Sequence, residues 1–215
     1  MKQTLSIVVL LCFIFYASTY SEENDKKYGV VFEMGSFYSI NGSFSDSEDL
    51  KDIVNPGMIF SFGMKMKINR QFFVEMLVTN GWMNYKNDKK PIPSLSPSFA
   101  ITNINFDNVY YIYRDRYKIK FLAGPGIYYW RFTDDGPFGK IQKYEGEKFY
   151  KMSIGGDIGM GFEVDFNKKL SLSLTSRYHY ILSKDRFFFG NYFSEQGLLD
   201  IRLGILGYFN SLFWK

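Results

Sequence analysis

Between Gly155 and Phe166 the chain reads GGDIGMGFEVDF, and taking every second residue separates it into two sets. Gly155, Asp157, Gly159, Gly161, Glu163 and Asp165 are small or acidic, whereas Gly156, Ile158, Met160, Phe162, Val164 and Phe166 are mostly bulky and apolar. A period of two marks a β-strand with chemically different faces. The alternation returns at Met58, Phe60, Phe62, Met64, Met66 and Ile68 against Gly57, Ser61, Gly63, Lys65 and Lys67. It returns again at Leu170, Leu172, Leu174, Tyr178 and Tyr180 against Ser171, Ser173, Thr175, Arg177 and His179. The whole pattern predicts eight strands, near residues 28–39, 56–68, 71–83, 99–113, 117–131, 149–166, 170–181 and 198–209. The fourth is the least regular: ITNINFDNVYYIY carries aromatics on both faces, which leaves its register open and leaves room for a bulge.

The connections are sorted by length. Strands two to three, four to five and six to seven join through the short polar turns NR, RDR and NKK, whereas residues 40–55, 84–98, 132–148 and 182–197 are long. Short turns on one rim, long loops on the other and both termini at the short-turn rim make the layout of an outer-membrane barrel. A soluble sandwich has no reason to sort its loops in this way.

Alternation alone does not say which face is wet. The lumen of an eight-stranded barrel holds only side chains or one small ligand. The apolar sets, built from Phe, Tyr, Met, Ile and Trp, are too bulky to share that space, so the greasy side faces out. Aromatic spacing agrees. Tyr28 and Tyr38 bracket strand one, and Phe72 and Trp82 bracket strand three, each pair ten residues apart. At the usual rise and tilt this spans about 25 Å along a membrane normal. Tyr28, Tyr38, Phe72, Trp82, Tyr129, Tyr178, Tyr180 and Phe209 are accordingly the expected membrane-interface aromatics.

Composition narrows the function. Aromatics make up 20% of 215 residues, and 26 basic against 22 acidic residues leave a net charge of +4 with no basic run longer than two. A nucleic-acid surface would gather those charges into a patch, so no nucleic-acid partner is expected. Residues 1–21 read as a cleaved export signal, with Lys2 ahead of an apolar Leu5–Tyr16 stretch and Ala17-Ser18-Thr19 behind it. An uncleaved N-terminal anchor is the alternative. The single cysteine, Cys12, lies inside that segment after Leu11, which speaks against lipidation and leaves 22–215 without thiol chemistry.

Chemistry-bearing residues concentrate on the polar parity. Glu33, Lys65, Glu75, Lys118, Lys120, Asp157, Glu163, Arg177, His179, Asp200 and Arg202 all point to the expected lumen. Charges in so narrow a space must pair or be hydrated. A salt-bridged plug is the simpler reading, and a narrow ion path or gate is the sharper one. His179 is the sole histidine, so no histidine metal cluster can form. The glycines of 155–161 run Gly-x-x-Gly-x-Gly without a following helix, which excludes a dinucleotide fingerprint. No catalytic, cofactor or metal residue is expected, and no cofactor. DRFFFGNYF, in the last long connection, is rich in aromatics for a solvated loop; strand extension or an adhesive tip would explain it.

NVYYIYRDRYKIKFLAGPGIYYW, GGDIGMGFEVDFNKKLSLSLTSRYHYI and LLDIRLGILGYF resemble the small outer-membrane β-barrel superfamily of OmpA-, OmpX- and OmpW-like porin-family domains. The resemblance covers residues 28–209 and implies an all-β, eight-stranded antiparallel up-and-down transmembrane barrel in the bacterial outer membrane, reached by export through the periplasm. It further implies contact with outer-membrane lipids, lipopolysaccharide and the barrel-assembly machinery, which would read a terminal aromatic at Phe209, Phe213 or Trp214. The expected role is structural and surface-facing, with the four long loops open to an extracellular ligand; a small pore or transporter for ions or apolar solutes is the rival. A lipid-modifying enzyme is disfavoured. Lipid A deacylases carry His-x-Ser-Asn, and this chain reads His179-Tyr180-Ile181-Leu182.

Overall fold

A computed structural model describes residues 28–44, 48–90, 94–114, 116–144, 147–167, 169–182 and 195–209. The proposed export signal and the aromatic run 185–193 lie outside the described residues. Eight long strands close into one barrel: β1 (Tyr28–Asn41), β2 (Gly57–Lys67), β3 (Phe72–Asn84), β4 (Ser98–Arg114), β5 (Tyr117–Thr133), β8 (Tyr150–Asp165), β9 (Leu170–Leu182) and β10 (Gln196–Phe209). The remaining two, β6 (Lys143–Tyr144) and β7 (Glu147–Lys148), form a small hairpin in the third long connection. Each long strand pairs antiparallel with its neighbour in the chain, and β1 closes the ring on β10 with Tyr28 opposite Phe209.

Closure settles which face is in. Along most of each strand, side chains of one parity are largely solvent-excluded and those of the other are open; the departures lie toward the ends of β4 and β5, where Ser98, Ala100 and Thr133 are buried and Tyr113 is exposed. Phe62, Met160 and Leu203 are 57%, 56% and 66% exposed, whereas Lys65, Arg177 and Asp200 are 0–1% exposed. The greasy side is the outer wall. Closing the sheet also leaves no unpaired edge, so the ladder uses its own backbone donors and acceptors.

Two of the short turns share a device. Asn69 Oδ1 accepts from the Gln71 and Phe72 amides at 2.9 Å, and Asn167 Oδ1 accepts from Lys169 at 2.8 Å and Leu170 at 2.9 Å. An Asn side chain standing in for a backbone acceptor is what makes so tight a reversal cheap.

Strand four corrects the sequence reading. Its register to β5 is constant from Ser98↔Thr133 to Arg114↔Tyr117, with no bulge. Pairing lapses only beside Pro125, which has no N–H to give. The irregularity lies in β1 instead, between Ser39 and Asn41 opposite β10. The long connections also hold structure that alternation could not reveal, chiefly the one-turn helix α1 (Leu50–Ile53), which buries Leu50 and Ile53.

Candidate functional site

Among the described residues the largest set of buried ionisable groups converges in the lumen, and the glycines of β8 make the room. A β-carbon on Gly161 would sit 2.7 Å from Lys120 Cε, and one on Gly155 would sit 2.8 Å from the Tyr128 ring. The small set in GGDIGMG is therefore space yielded to long side chains reaching in from β5.

All the lumen charges named from the sequence are buried: Glu33, Lys65, Glu75, Lys118, Lys120, Asp157, Glu163, Arg177, His179, Asp200 and Arg202. They form three tiers. Nearest the short turns, Lys118 Nζ donates to Glu163 Oε1 (2.8 Å) and Asp165 Oδ1 (2.7 Å), while the Tyr111 and Tyr208 hydroxyls each donate to Glu163 at 2.7 Å. Lys65 Nζ lies 3.1 Å from Glu75 Oε2 and bonds the Tyr111 hydroxyl at 2.5 Å, tying this tier to the next.

The middle tier is built on Arg177. Its Nη2 donates to Glu75 Oε1 at 2.6 Å, and its Nη1 reaches Asp157 Oδ2 at 2.9 Å and also Asp107. One guanidinium thus joins β3, β4, β8 and β9 across the barrel. Its planar fork suits several carboxylates at once in a way an ammonium does not. Lys120 Nζ stands 3.4 Å from Glu33 Oε1, and the Thr175 hydroxyl donates to the same oxygen at 3.2 Å.

The upper tier runs through the single histidine. Asn105 donates to the Tyr128 hydroxyl at 2.9 Å, so the Tyr128 proton points to His179 Nδ1 at 3.0 Å. That leaves Nε2 to donate to Asp200 Oδ2 at 2.7 Å. Arg202 also binds Asp200, and its Nη1 donates to the Ser61 hydroxyl at 2.5 Å.

Above the tiers the lumen changes character. Phe37, Ile59, Met83, Phe99, Ile101, Trp130, Phe132, Phe149, Ile181 and Leu198 pack into one apolar cluster, closed from the loops by Leu50, Ile53 and Val54 of the first connection. Phe132 stacks on Phe149 at 4.3 Å and 10°, and Trp130 Nε1 donates to Ser153 at 3.1 Å. The strand limits read from the sequence leave Phe132 and Phe44 in long connections and Trp130 at the edge of one. Both Trp130 and Phe132 in fact lie in β5 facing inward, and Phe44 packs against the same cluster. The lumen is filled by charge over one part and by hydrocarbon over the other.

Asp107, Tyr111, Tyr128 and Tyr208 were missed among the lumen groups. Asp107 shares the parity of Asn103 and Asn105, but aromatics on both faces of strand four hid that parity. The tyrosines pass for girdle residues until their parity is followed. The expected interface aromatics Tyr28, Tyr38, Phe72, Trp82, Tyr129, Tyr178, Tyr180 and Phe209 all stand on the outer wall, partly or well exposed. Tyr28 stacks near Phe209 at 6.1 Å across the closing seam.

Chemically, this arrangement neutralises charge. Each lumen carboxylate named above faces an Arg, Lys, Tyr or His donor.

No protein-family model matches the chain, and no curated protein matches its sequence. Solved structures do match. Neisserial surface protein A (NspA) superposes with a TM-score of 0.58 at 14% identity, covering 87% of this chain and 100% of that one. The outer membrane protein AlkL, solved in lipid bilayers, gives 0.53 at 12% identity over 92% of this chain and 97% of its own. The chain has the fold of the small eight-stranded outer-membrane β-barrels, as its strand patterns imply.

Proposed function

We propose that the chain spans the bacterial outer membrane as a closed, non-conducting barrel whose work is structural and surface-facing, its long loops directed outward. The supporting observation is the combination of a lumen filled over its length and a wall of exposed apolar side chains. Phe99, Trp130 and Phe132 are 0–1% exposed, as are Glu33, Glu75 and Arg177 below them. A soluble protein with so continuous an apolar belt would aggregate; a bilayer covers it. The charged groups of the lumen pair with one another, which favours a structural over a catalytic reading. Residues 22–215 form the exported chain in this reading, inserted by the assembly machinery among lipopolysaccharide and other lipids.

Planar-bilayer recording tests it. The folded chain is expected to give no stable conductance, together with migration on gels that shifts on boiling. A steady open channel that disappears on neutralising Arg177 or Glu75 would establish the rival, a small pore. That rival has one observation in its favour: the polar tiers run unbroken from the short-turn rim to the plug. It requires the first connection to leave the mouth, so shortening residues 43–55 would then open conductance.

A further inference from the structure

The outer wall carries an anomaly. Along the eight barrel strands, the outward parity is apolar or uncharged at every described position except Arg114, at the end of β4, and Arg131 on β5. Arg114 sits at a turn in the short-turn rim. Arg131 stands inside the wall, opposite Ala100 of β4 and Tyr150 of β8, and Ala100 in turn is opposite Trp82 of β3. It is half-buried and level with the long-connection aromatics, its guanidinium 5.5 Å from the Tyr129 ring centroid.

Its polar contacts are all neutral. Arg131 Nη2 donates to the Pro137 carbonyl at 3.1 Å, and Nη1 lies 3.5 Å from the Thr102 hydroxyl. Thr102 itself accepts from Asn80 Nδ2 at 2.8 Å, which leaves Asn80 Oδ1 buried without a partner. Among the described residues no carboxylate pairs with Arg131. Asn80, Thr102 and Arg131 thus form a polar patch across three adjacent strands of an otherwise greasy wall. A guanidinium held by two neutral acceptors keeps its charge and several N–H groups free, and the fork geometry suits a phosphate. At the interface a cation on a lipid-facing wall is tolerated, whereas at mid-bilayer it is costly.

We infer that this patch binds the phosphate of an outer-leaflet lipid headgroup, with Arg131 supplying the charge and the Thr102 hydroxyl, oriented by Asn80, a neighbouring donor. The inference rests on the membrane-spanning reading. Charge complementarity selects the ligand: it is anionic, because the only formal charge on that stretch of wall is a positive one without a partner. It is tethered to an acyl chain, because apolar side chains flank the patch on the same face.

The test uses the full folded chain in vesicles of zwitterionic lipid containing either diphosphoryl lipid A or its dephosphorylated form. Folding is checked by heat-modifiable migration, and insertion by brominated-lipid quenching of the fluorescence that Trp82→Phe removes. The wild type is expected to retain the phosphorylated lipid about tenfold more strongly, the worth of one charge-assisted contact. Arg131→Gln should abolish that preference and Arg131→Lys keep part of it, both with quenching unchanged. Thr102→Val, which keeps the charge, should weaken the preference without abolishing it. An unaltered preference in Arg131→Gln overturns the site while leaving the spanning reading intact; absence of Trp82 quenching in the wild type overturns both. Displacement of the lipid by millimolar inorganic phosphate would show a site for free phosphate and overturn the lipid assignment.

Discussion

The charged tiers and the apolar plug fill the same lumen by opposite means. In the tiers, long side chains from strands on all sides meet at shared oxygens, and every contact depends on the register that put it there. A one-residue slip of β9 would carry Arg177 from the lumen to the outer wall. In the plug, apolar groups from strands and from α1 fill volume with little directional demand, and several arrangements would do so nearly as well. The difference teaches a division of labour. Buried ion networks are poor sources of net stability but sharp reporters of the correct pairing, and hydrocarbon supplies stability with less selectivity.

The largest test of that division is Arg177→Met. It strands Asp107 and Asp157 beside an uncharged side chain and leaves Glu75 to Lys65 alone, and leaving buried charges unpaired costs about 3–5 kcal/mol. Urea unfolding in vesicles would measure it. Adding Asp107→Asn and Asp157→Asn to the same chain should recover a large part of the loss, because the penalty belongs to the unmatched charge. Failure of the combined variant to recover would mean that the network holds the barrel by attraction and would erase the contrast with the plug.

Leu50→Ala acts on the other region. It empties a fully buried position contributed by a loop, and a cost of about 2 kcal/mol is expected, the low end for such truncations because a one-turn helix can settle into the gap. Its effect should add to that of Arg177→Met, since the two sites share no partner. Strong coupling between them would show tiers and plug to be one unit.

The smallest effect belongs outside the lumen. Lys89 pairs with Glu48 between the first two long connections, and hydrogen bonding to that carboxylate raises the lysine's pKa. Both side chains are about one-third exposed, so Lys89→Ala should leave unfolding indistinguishable from the wild type. A clear loss there would mean that the loops stabilise the barrel from outside as well as by plugging it.

How much of this was legible in advance can be judged strand by strand. β2, β8 and β9 announced themselves because both of their faces are chemically pure, and the charges on their polar parity lie where that parity puts them. β4 resisted because Tyr110, Tyr111, Ile112 and Tyr113 blur the two faces, and Asp107 was lost with its register. Phe132 fell outside strand five, which the pattern ends at residue 131, because a strand that carries its aromatics inward, beyond the charged tiers, gives no alternation to read.

The amino-acid order on its own determined the number of barrel strands, the sorting of their connections and the side that faces outward, since a period of two and the bulk of the apolar set are local properties. Which carboxylate meets which base, where the lumen turns from ionic to apolar, and that Arg131 pairs with no carboxylate among the described residues were decided only by closure. Those contacts join residues as far apart as Glu75 and Arg177, which nothing but the shear and register of a closed sheet brings within hydrogen-bond reach.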